Sequence, residues 1–387
     1  MKFIPYGQHS ISHEDIDEIS KVLMSEWLTQ GPMISKFEEA ILAYCNAKYA
    51  TAVSSATAAL HLACLALDLK SGDYLWTSPN TFVASANCAL YCGANVDFVD
   101  INLKTFNMCT DALEEKLITA EKLGKLPKVV IPVHFAGQSC NMEKIKSLSK
   151  RYGFKVIEDA SHAIGGLYKD SKIGSCEYSD ITVFSFHPVK IITTGEGGML
   201  LTNNKKLHET LRRLRTHGIT RDEEYMESKS HGPWYYQQIE LGFNYRITDI
   251  QAALGLSQLK RLDQQVLLRN KLSANYAQEF VNLPIVIPFV ESDCYSAWHL
   301  YSIMLEIDKL KKTRLQVFEE MRKANIGVNV HYIPVNKHPY YQQHGFKDKK
   351  YPNAEFYYER TMTLPLYPAM LPIDQERVIF TLKKVLR

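Results

Sequence analysis

Three short segments place reactive side chains where an apolar strand pattern hands over to a loop or helix. In Phe184-Ser185-Phe186-His187-Pro188-Val189-Lys190 a lysine follows such a strand and precedes the glycine-rich turn Thr193-Thr194-Gly195-Glu196-Gly197-Gly198. Most lysines are solvated at the surface. One held against apolar walls has a lowered pKa and can act as a nucleophile that forms a Schiff base. In Val156-Ile157-Glu158-Asp159-Ala160-Ser161-His162 the strand ends in two carboxylates, and a histidine follows three residues after the second. Such a carboxylate is often only a helix cap. Ligands of open α/β sheets, however, sit beyond the carboxyl ends of the strands. There a carboxylate can hold a protonated ring nitrogen while the histidine fixes it from behind. In Val53-Ser54-Ser55-Ala56-Thr57-Ala58 small residues cross from a strand into an Ala-rich helix. The free N–H groups and dipole of a helix start suit a phosphate, although an ordinary Ser/Thr cap is the commoner explanation of such a segment taken alone. It is not a Walker motif, since no Gly-Lys-Ser/Thr follows.

A Schiff-base lysine, a carboxylate for a ring nitrogen and a phosphate site, with Ser185 able to add a hydroxyl, together describe a pyridoxal 5'-phosphate pocket. No Gly-x-Gly-x-x-Gly follows the first strand, which weighs against a nicotinamide fold.

The elements that must position these residues are legible as alternation. Short β-branched runs at 51–54, 74–77, 96–100, 128–134, 155–159, 181–186 and 199–202 predict seven strands. Helical patterns fit between many of them, at 57–67, 83–91, 110–120, 142–152 and 205–216. Strands apolar on both faces, separated by helices, predict an α/β fold with a mostly parallel sheet between helices. The last two strands are joined by a loop alone, which allows a local antiparallel excursion. Ser12 caps an N-terminal helix, and Thr248-Asp249-Ile250-Gln251 opens a long helical pattern to about Phe280. Beyond it we expect a smaller C-terminal α+β domain, residues 261–387, after a large domain of residues 1–260 whose N-terminal segment packs back on the small one. Its elements are a strand at 297–307, a helix capped by Thr313 and Gln316, a strand at 328–333 and a closing helix at 374–386.

Composition narrows the function classes. The 387 residues carry 45 Lys plus Arg against 42 Asp plus Glu, a net +3 with no basic arm, which is not a nucleic-acid footprint. The eight cysteines are scattered with no Cys-x-x-Cys. They read as reduced thiols, with Cys88 and Cys92 on a helix face and no partners at zinc spacing. No metal is expected. The first residues lack the apolar stretch of a signal peptide. The uncharged stretches 49–67 and 74–96 are too rich in Ser, Thr and Asn for membrane spans. The expected location is cytoplasmic.

Taken in order, Ser55-Ala56-Thr57, Thr81-Phe82-Val83-Ala84, Pro132-Val133-His134-x-Ala136-Gly137, Glu158-Asp159-Ala160, Ser185 to Lys190, Gly195-Glu196-Gly197-Gly198 and Gly242-Phe243-Asn244-Tyr245-Arg246 resemble the DegT/DnrJ/EryC1/StrS sugar aminotransferases. That group belongs to the fold-type-I pyridoxal-phosphate superfamily, and the resemblance runs over nearly the whole chain. Trp27-Leu28-Thr29-Gln30-Gly31-Pro32, Leu75 to Phe82, Lys190 to Gly195 and Gly327 to Pro334 resemble the branch that serves pseudaminic acid biosynthesis.

The resemblance implies roles residue by residue. Lys190 would hold pyridoxal phosphate and then shuttle protons at the amine carbon. Asp159 would pair with the ring nitrogen, Phe82 would stack on the ring, and His162 would lie near its phenolic oxygen. Ser55, Ala56, Thr57 and Ser185 would hold the phosphate, with Asn244 reaching one across the interface of a homodimer. Tyr6, Glu26, Trp27, Leu28, Thr29, His187, His331 and Tyr332 would line the nucleotide-sugar side. Arg246 is a candidate for the carboxylates of the amino donor, L-glutamate. The acceptor implied is a UDP-linked 4-keto-6-deoxy sugar. Some members replace the lysine with histidine and act as dehydratases; the presence of Lys190 favours transamination.

Overall fold

The computed structural model describes residues 2–387. Its centre is a seven-stranded sheet of β1 (Tyr49–Val53), β2 (Tyr74–Thr77), β3 (Asn95–Phe98), β4 (Val129–Ile131), β5 (Lys155–Asp159), β6 (Ile181–Ser185) and β7 (Gly198–Thr202), in the order β1-β7-β6-β5-β4-β2-β3. Six strands run parallel. β7 alone is antiparallel to both neighbours, and this is the excursion that the short β6–β7 loop allowed. The parallel strands are almost wholly buried because helices cover both faces. Among them are α3 (Ala56–Ala66), α4 (Ala84–Tyr91), α5 (Thr110–Lys122), α6 (Met142–Tyr152) and α7 (Lys205–Arg215), which follow α1 (His13–Leu23) and α2 (Pro32–Cys45) at the N-terminus.

α2 is not among the helices expected from the sequence pattern. Its apolar spacing, Ile34, Phe37, Ile41 and Cys45, is helical and buried, but Gly31-Pro32 reads as a turn. Here the proline occupies the first helical turn, where its missing N–H costs nothing. The Asp249 carboxylate takes the Gly31 and Met33 N–H groups at 2.7 and 2.9 Å and so caps the helix from a distance.

The single long helix expected from Thr248 is two, α8 (Asp249–Leu259) and α9 (Leu262–Glu279), broken at Arg261. The capping box at Thr248 and Gln251 is present. The break turns Leu262 and Val266 onto the core around Phe37. It also lets Arg261 reach the buried Asp15, which accepts from Ser257 and Gln258 as well.

C-terminal to α9 a three-stranded antiparallel sheet joins Ile285–Val286, Tyr301–Leu305 and Thr361–Leu364, packed against helices Arg314–Lys323 and Pro372–Val385. Ile4 packs in the same cluster and bridges Ile326. The strand expected at 328–333 is a correction. It makes one bridge, Asn329 to Thr363, and then leaves the sheet, because His331 and Tyr332 turn toward the large sheet instead. Cys88 is buried and Cys92 half-buried.

Candidate active site

The carboxyl ends of the parallel strands open into a cavity of about 470 Å³, within the size range of small-ligand sites. β1, β2, β4, β5 and β6 contribute through residues at or past their ends. β1 ends at Val53, and Ser55 caps α3 by accepting the Ala58 N–H at 3.1 Å. That leaves the Ala56 and Thr57 amides at the helix start, where a helix has no partners of its own for its first N–H groups. Ser55, Ala56 and Thr57 all line the cavity. β7 passes so close behind this turn that a Cβ on Gly198 would stand 2.6 Å from the Ser55 carbonyl. Glycine is required there by close approach.

At the end of β5 the two carboxylates point to opposite faces, as successive strand residues must. Glu158 faces away from the cavity. It accepts from His134 Nε2 at 2.7 Å, Ser179 Oγ at 2.5 Å and Thr182 Oγ1 at 3.2 Å. Burial pushes its carboxyl up, but these donors outweigh it and hold Glu158 below the usual carboxylate range. Asp159 faces the cavity, only 5% exposed, and accepts from Ser85 Oγ at 2.7 Å and the Ser161 N–H at 3.1 Å. Of the adjacent pair, one is a structural anchor and the other is presented to a ligand.

Lys190 lies in the loop after β6 with its side chain in the same cavity. Burial strips water from its ammonium and lowers its pKa to about 8, with Asp159 pulling the other way. At neutral pH that leaves roughly 300-fold more free amine than an ordinary lysine carries. His162, His331 and His299 surround it. Burial, then Lys190 and His331, keep His162 neutral. Burial and Lys190 push His331 down to about 3.

The cavity brings together Tyr6, Ser55, Ala56, Thr57, Phe82, Asp159, His162, Ser185, His187, Lys190, His331 and Tyr332 among the residues named from sequence. Glu26, Trp27, Leu28, Thr29, Asn244 and Arg246 are not among the groups that line it within one chain. Glu26 to Thr29 and Asn244 are exposed, and Arg246 is half-buried beside Val53. Sequence reading missed Ser85 and His299. Ser85 stands three residues past Phe82, one turn on, where the start of α4 aims it at Asp159. His299 follows the Ala297 turn from the C-terminal part of the chain, and no local pattern ties it to the sheet.

The family model for DegT/DnrJ/EryC1/StrS aminotransferases matches residues 9–383. The chain belongs to that family. It is 40% identical to the spore coat polysaccharide biosynthesis protein SpsC of Bacillus subtilis, over 100% of this chain and 97% of that one. It is 37% identical to the UDP-4-amino-4,6-dideoxy-N-acetyl-beta-L-altrosamine transaminase of Campylobacter jejuni, over 99% and 97%. Among solved structures, PseC of Helicobacter pylori, an aminotransferase of pseudaminic acid biosynthesis, superposes with a TM-score of 0.89 at 30% identity, covering 100% and 99% of the two chains.

This sugar aminotransferase is an enzyme of fold type I, and pyridoxal phosphate is its cofactor. The donor set suits that group. There is an amine of lowered pKa, a buried carboxylate facing it, and a helix start with free amides held open by Gly198. Among the described residues no helix is long and apolar enough to cross a membrane, and no cluster of His, Cys, Asp and Glu could hold a metal ion.

Proposed function

We propose that this aminotransferase moves the amino group of L-glutamate to C4 of a UDP-linked 4-keto-6-deoxy-N-acetylhexosamine, UDP-2-acetamido-2,6-dideoxy-β-L-arabino-hex-4-ulose. The product is UDP-4-amino-4,6-dideoxy-N-acetyl-β-L-altrosamine. The observation that carries the chemistry is one cavity holding Lys190, with its pKa near 8, opposite the buried Asp159. The substrate class is supported by the Campylobacter and Helicobacter relatives.

Bound pyridoxal phosphate would supply an aldehyde for the amine and a ring that accepts the electron pair released at the amine carbon. Lys190 would anchor that aldehyde and, once displaced, carry the proton on and off the amine carbon; a free amine held beside the reacting atom suits general acid–base transfer. Asp159 would hold the ring-nitrogen proton, itself kept in place by Ser85 and the Ser161 N–H. Ala56, Thr57 and Ser185 would hold the phosphate, and Phe82 and His162 would flank the ring. Tyr6, His187, His331 and Tyr332 would meet the sugar. Trp27 and Leu28 are about half exposed, Phe82 is 59% exposed, and Asn244 is exposed as well. We place these against a second copy of the chain, in a homodimer whose partner completes the site.

One rival is a sister enzyme acting on another nucleotide-linked 4-ketosugar, such as a UDP-4-keto-pentose; the 40% identity to SpsC, named for spore coat polysaccharide biosynthesis, leaves room for a different sugar. A two-step absorbance titration separates them. Glutamate should bleach the band of the cofactor-loaded protein, and after glutamate is removed the named ketosugar should restore it. Bleaching without restoration makes the sugar wrong, and the rival ketosugars are then tested in the same way. A protein with no band to bleach sinks the transaminase reading itself.

A further inference from the structure

The hydrogen bonds around His162 have a fixed direction. The Ala136 backbone N–H points at His162 Nδ1 at 3.3 Å. An amide N–H can only donate, so Nδ1 carries a lone pair and the ring is neutral with its proton on Nε2. Nε2 lies 3.2 Å from Tyr332 Oη, and there the histidine must be the donor. The phenol oxygen is therefore the acceptor, and its own proton is left over. Among the described residues no other protein group is hydrogen-bonded to that hydroxyl, and Tyr332 lines the cavity with Lys190 and Asp159.

The amide that sets the direction is itself held firmly. Ala136 sits at φ 58°. The Ala136 and Gly137 carbonyls accept from the Leu300 and Ala297 N–H groups. A Cβ on Gly137 would lie 2.6 Å from the Trp298 nitrogen. His299 covers the His162 ring with centroids 4.4 Å apart, so the ring cannot flip without moving a buried neighbour. The charge state agrees: burial, then Lys190 and His331, keep His162 unprotonated, and burial, then Asp159, keeps the Tyr332 phenol protonated.

We propose that Ala136 N–H, His162 and Tyr332 form a one-way hydrogen-bond chain that turns the Tyr332 hydroxyl proton into the cavity, making Tyr332 the donor to an acceptor oxygen of the bound ring or of the ketosugar. His162 is then a positioning residue acting through Tyr332. The inference rests on the transaminase reading for the identity of the acceptor, but the direction of the chain does not. What position 162 needs is an acceptor toward Ala136 and a donor toward Tyr332. A glutamine amide offers both; leucine offers neither.

The first test is ¹⁵N NMR of the histidine-labelled full chain at neutral pH, with and without pyridoxal phosphate, His162 being assigned by its loss in His162→Gln. The expected result is a proton on Nε2 and none on Nδ1. A proton on Nδ1, or a doubly protonated ring, overturns the proposal whatever the enzyme's substrate. The second test is a set of variants. Tyr332→Phe and His162→Leu should each lower kcat about tenfold or more, the double variant should lose clearly less than the product of the two losses, and His162→Gln should recover most of the His162→Leu loss. Fully multiplicative losses, or a His162→Gln as poor as His162→Leu, reject the chain.

If the acceptor oxygen belongs to the cofactor, Tyr332→Phe shifts the absorbance of the loaded protein before any substrate is added. If it belongs to the sugar, that band is unchanged and only its sugar-dependent return slows. Either result supports donation by Tyr332, and no change in both refutes it. Wild-type protein with no glutamate-sensitive band would instead fail the transaminase reading. Should His162→Leu not fold, Tyr332→Phe and the NMR measurement still decide.

Discussion

Replacing Lys190 by methionine, which keeps the length of the side chain and removes the amine, should make the cofactor-free protein more stable. In an unfolded chain the lysine titrates near 10.5; in the cavity it titrates at about 8, because burial opposes its charge more than Asp159 supports it. Between those two values the unfolded state binds more protons, so the lysine's contribution to stability rises as pH rises through that window. At pH 7 both states are mostly protonated, and the buried charge costs about 3 kcal/mol relative to a neutral side chain. For a chain of 387 residues that is a gain of about 4 °C in Tm for Lys190→Met. By pH 10 the cost falls below about 1 kcal/mol and the gain should nearly vanish. Thermal unfolding of both cofactor-free proteins at equal concentration, at pH 7 and pH 10, tests this. A methionine variant no more stable than wild type at pH 7, or a gain that does not shrink with pH, would mean that Lys190 is not held charged in a desolvated cavity. Lys190 would then carry no more free amine at neutral pH than an ordinary lysine. Stability surrendered at a reactive side chain is an expected trade-off at functional sites.

Asp159→Asn should keep the fold, since the asparagine oxygen can accept from the Ser161 N–H while its NH2 donates to a reoriented Ser85 hydroxyl, but lower kcat by about 10² or more through loss of a fixed negative charge; retained activity would show that the carboxylate is only structural. Gly198→Ala drives a Cβ into the Ser55–Ala56 backbone, an overpacking of about 1–3 kcal/mol; pyridoxal phosphate titration should give at least about tenfold weaker binding, and unchanged affinity would place the phosphate elsewhere. Burial pushes the Asp15 carboxyl up, yet Ser257, Ser12, Gln258 and Arg261 together hold it below its usual value, so its contribution is present above pH 4 and lost as pH falls further; Asp15→Ala should destabilise by about 3 kcal/mol at pH 7, and a denaturant midpoint equal to wild type would contradict that.

Much of the site is local in character and could be read from the chain. The alternation of β-branched runs and helices predicts the sheet because a strand covered on both faces must be apolar throughout. Lys190, Asp159 and the Ser55–Thr57 turn all stand at strand ends, where a parallel sheet exposes its ligand side. The same logic failed at 328–333. That segment has the β-branched pattern of a strand, but it gives up all but one bridge to bring His331 and Tyr332 into the cavity. The helix through Arg261 likewise broke for a distant partner, Asp15.

The sequence by itself therefore determined the class of chemistry, the parallel sheet and the residues at its strand ends, because each of these follows from short-range periodicity and residue type. Only the tertiary structure decided which of Glu158 and Asp159 faces the ligand, through the parity of β5 and the donors waiting on each side. It also brought Ser85, His299 and Tyr332 to the reacting groups from turns and segments up to 170 residues away along the chain. Contacts of that span depend on how layers pack. The direction of the hydrogen bond from His162 to Tyr332 likewise depends on one backbone amide, at Ala136, being held in place by the distant Ala297–Leu300 segment.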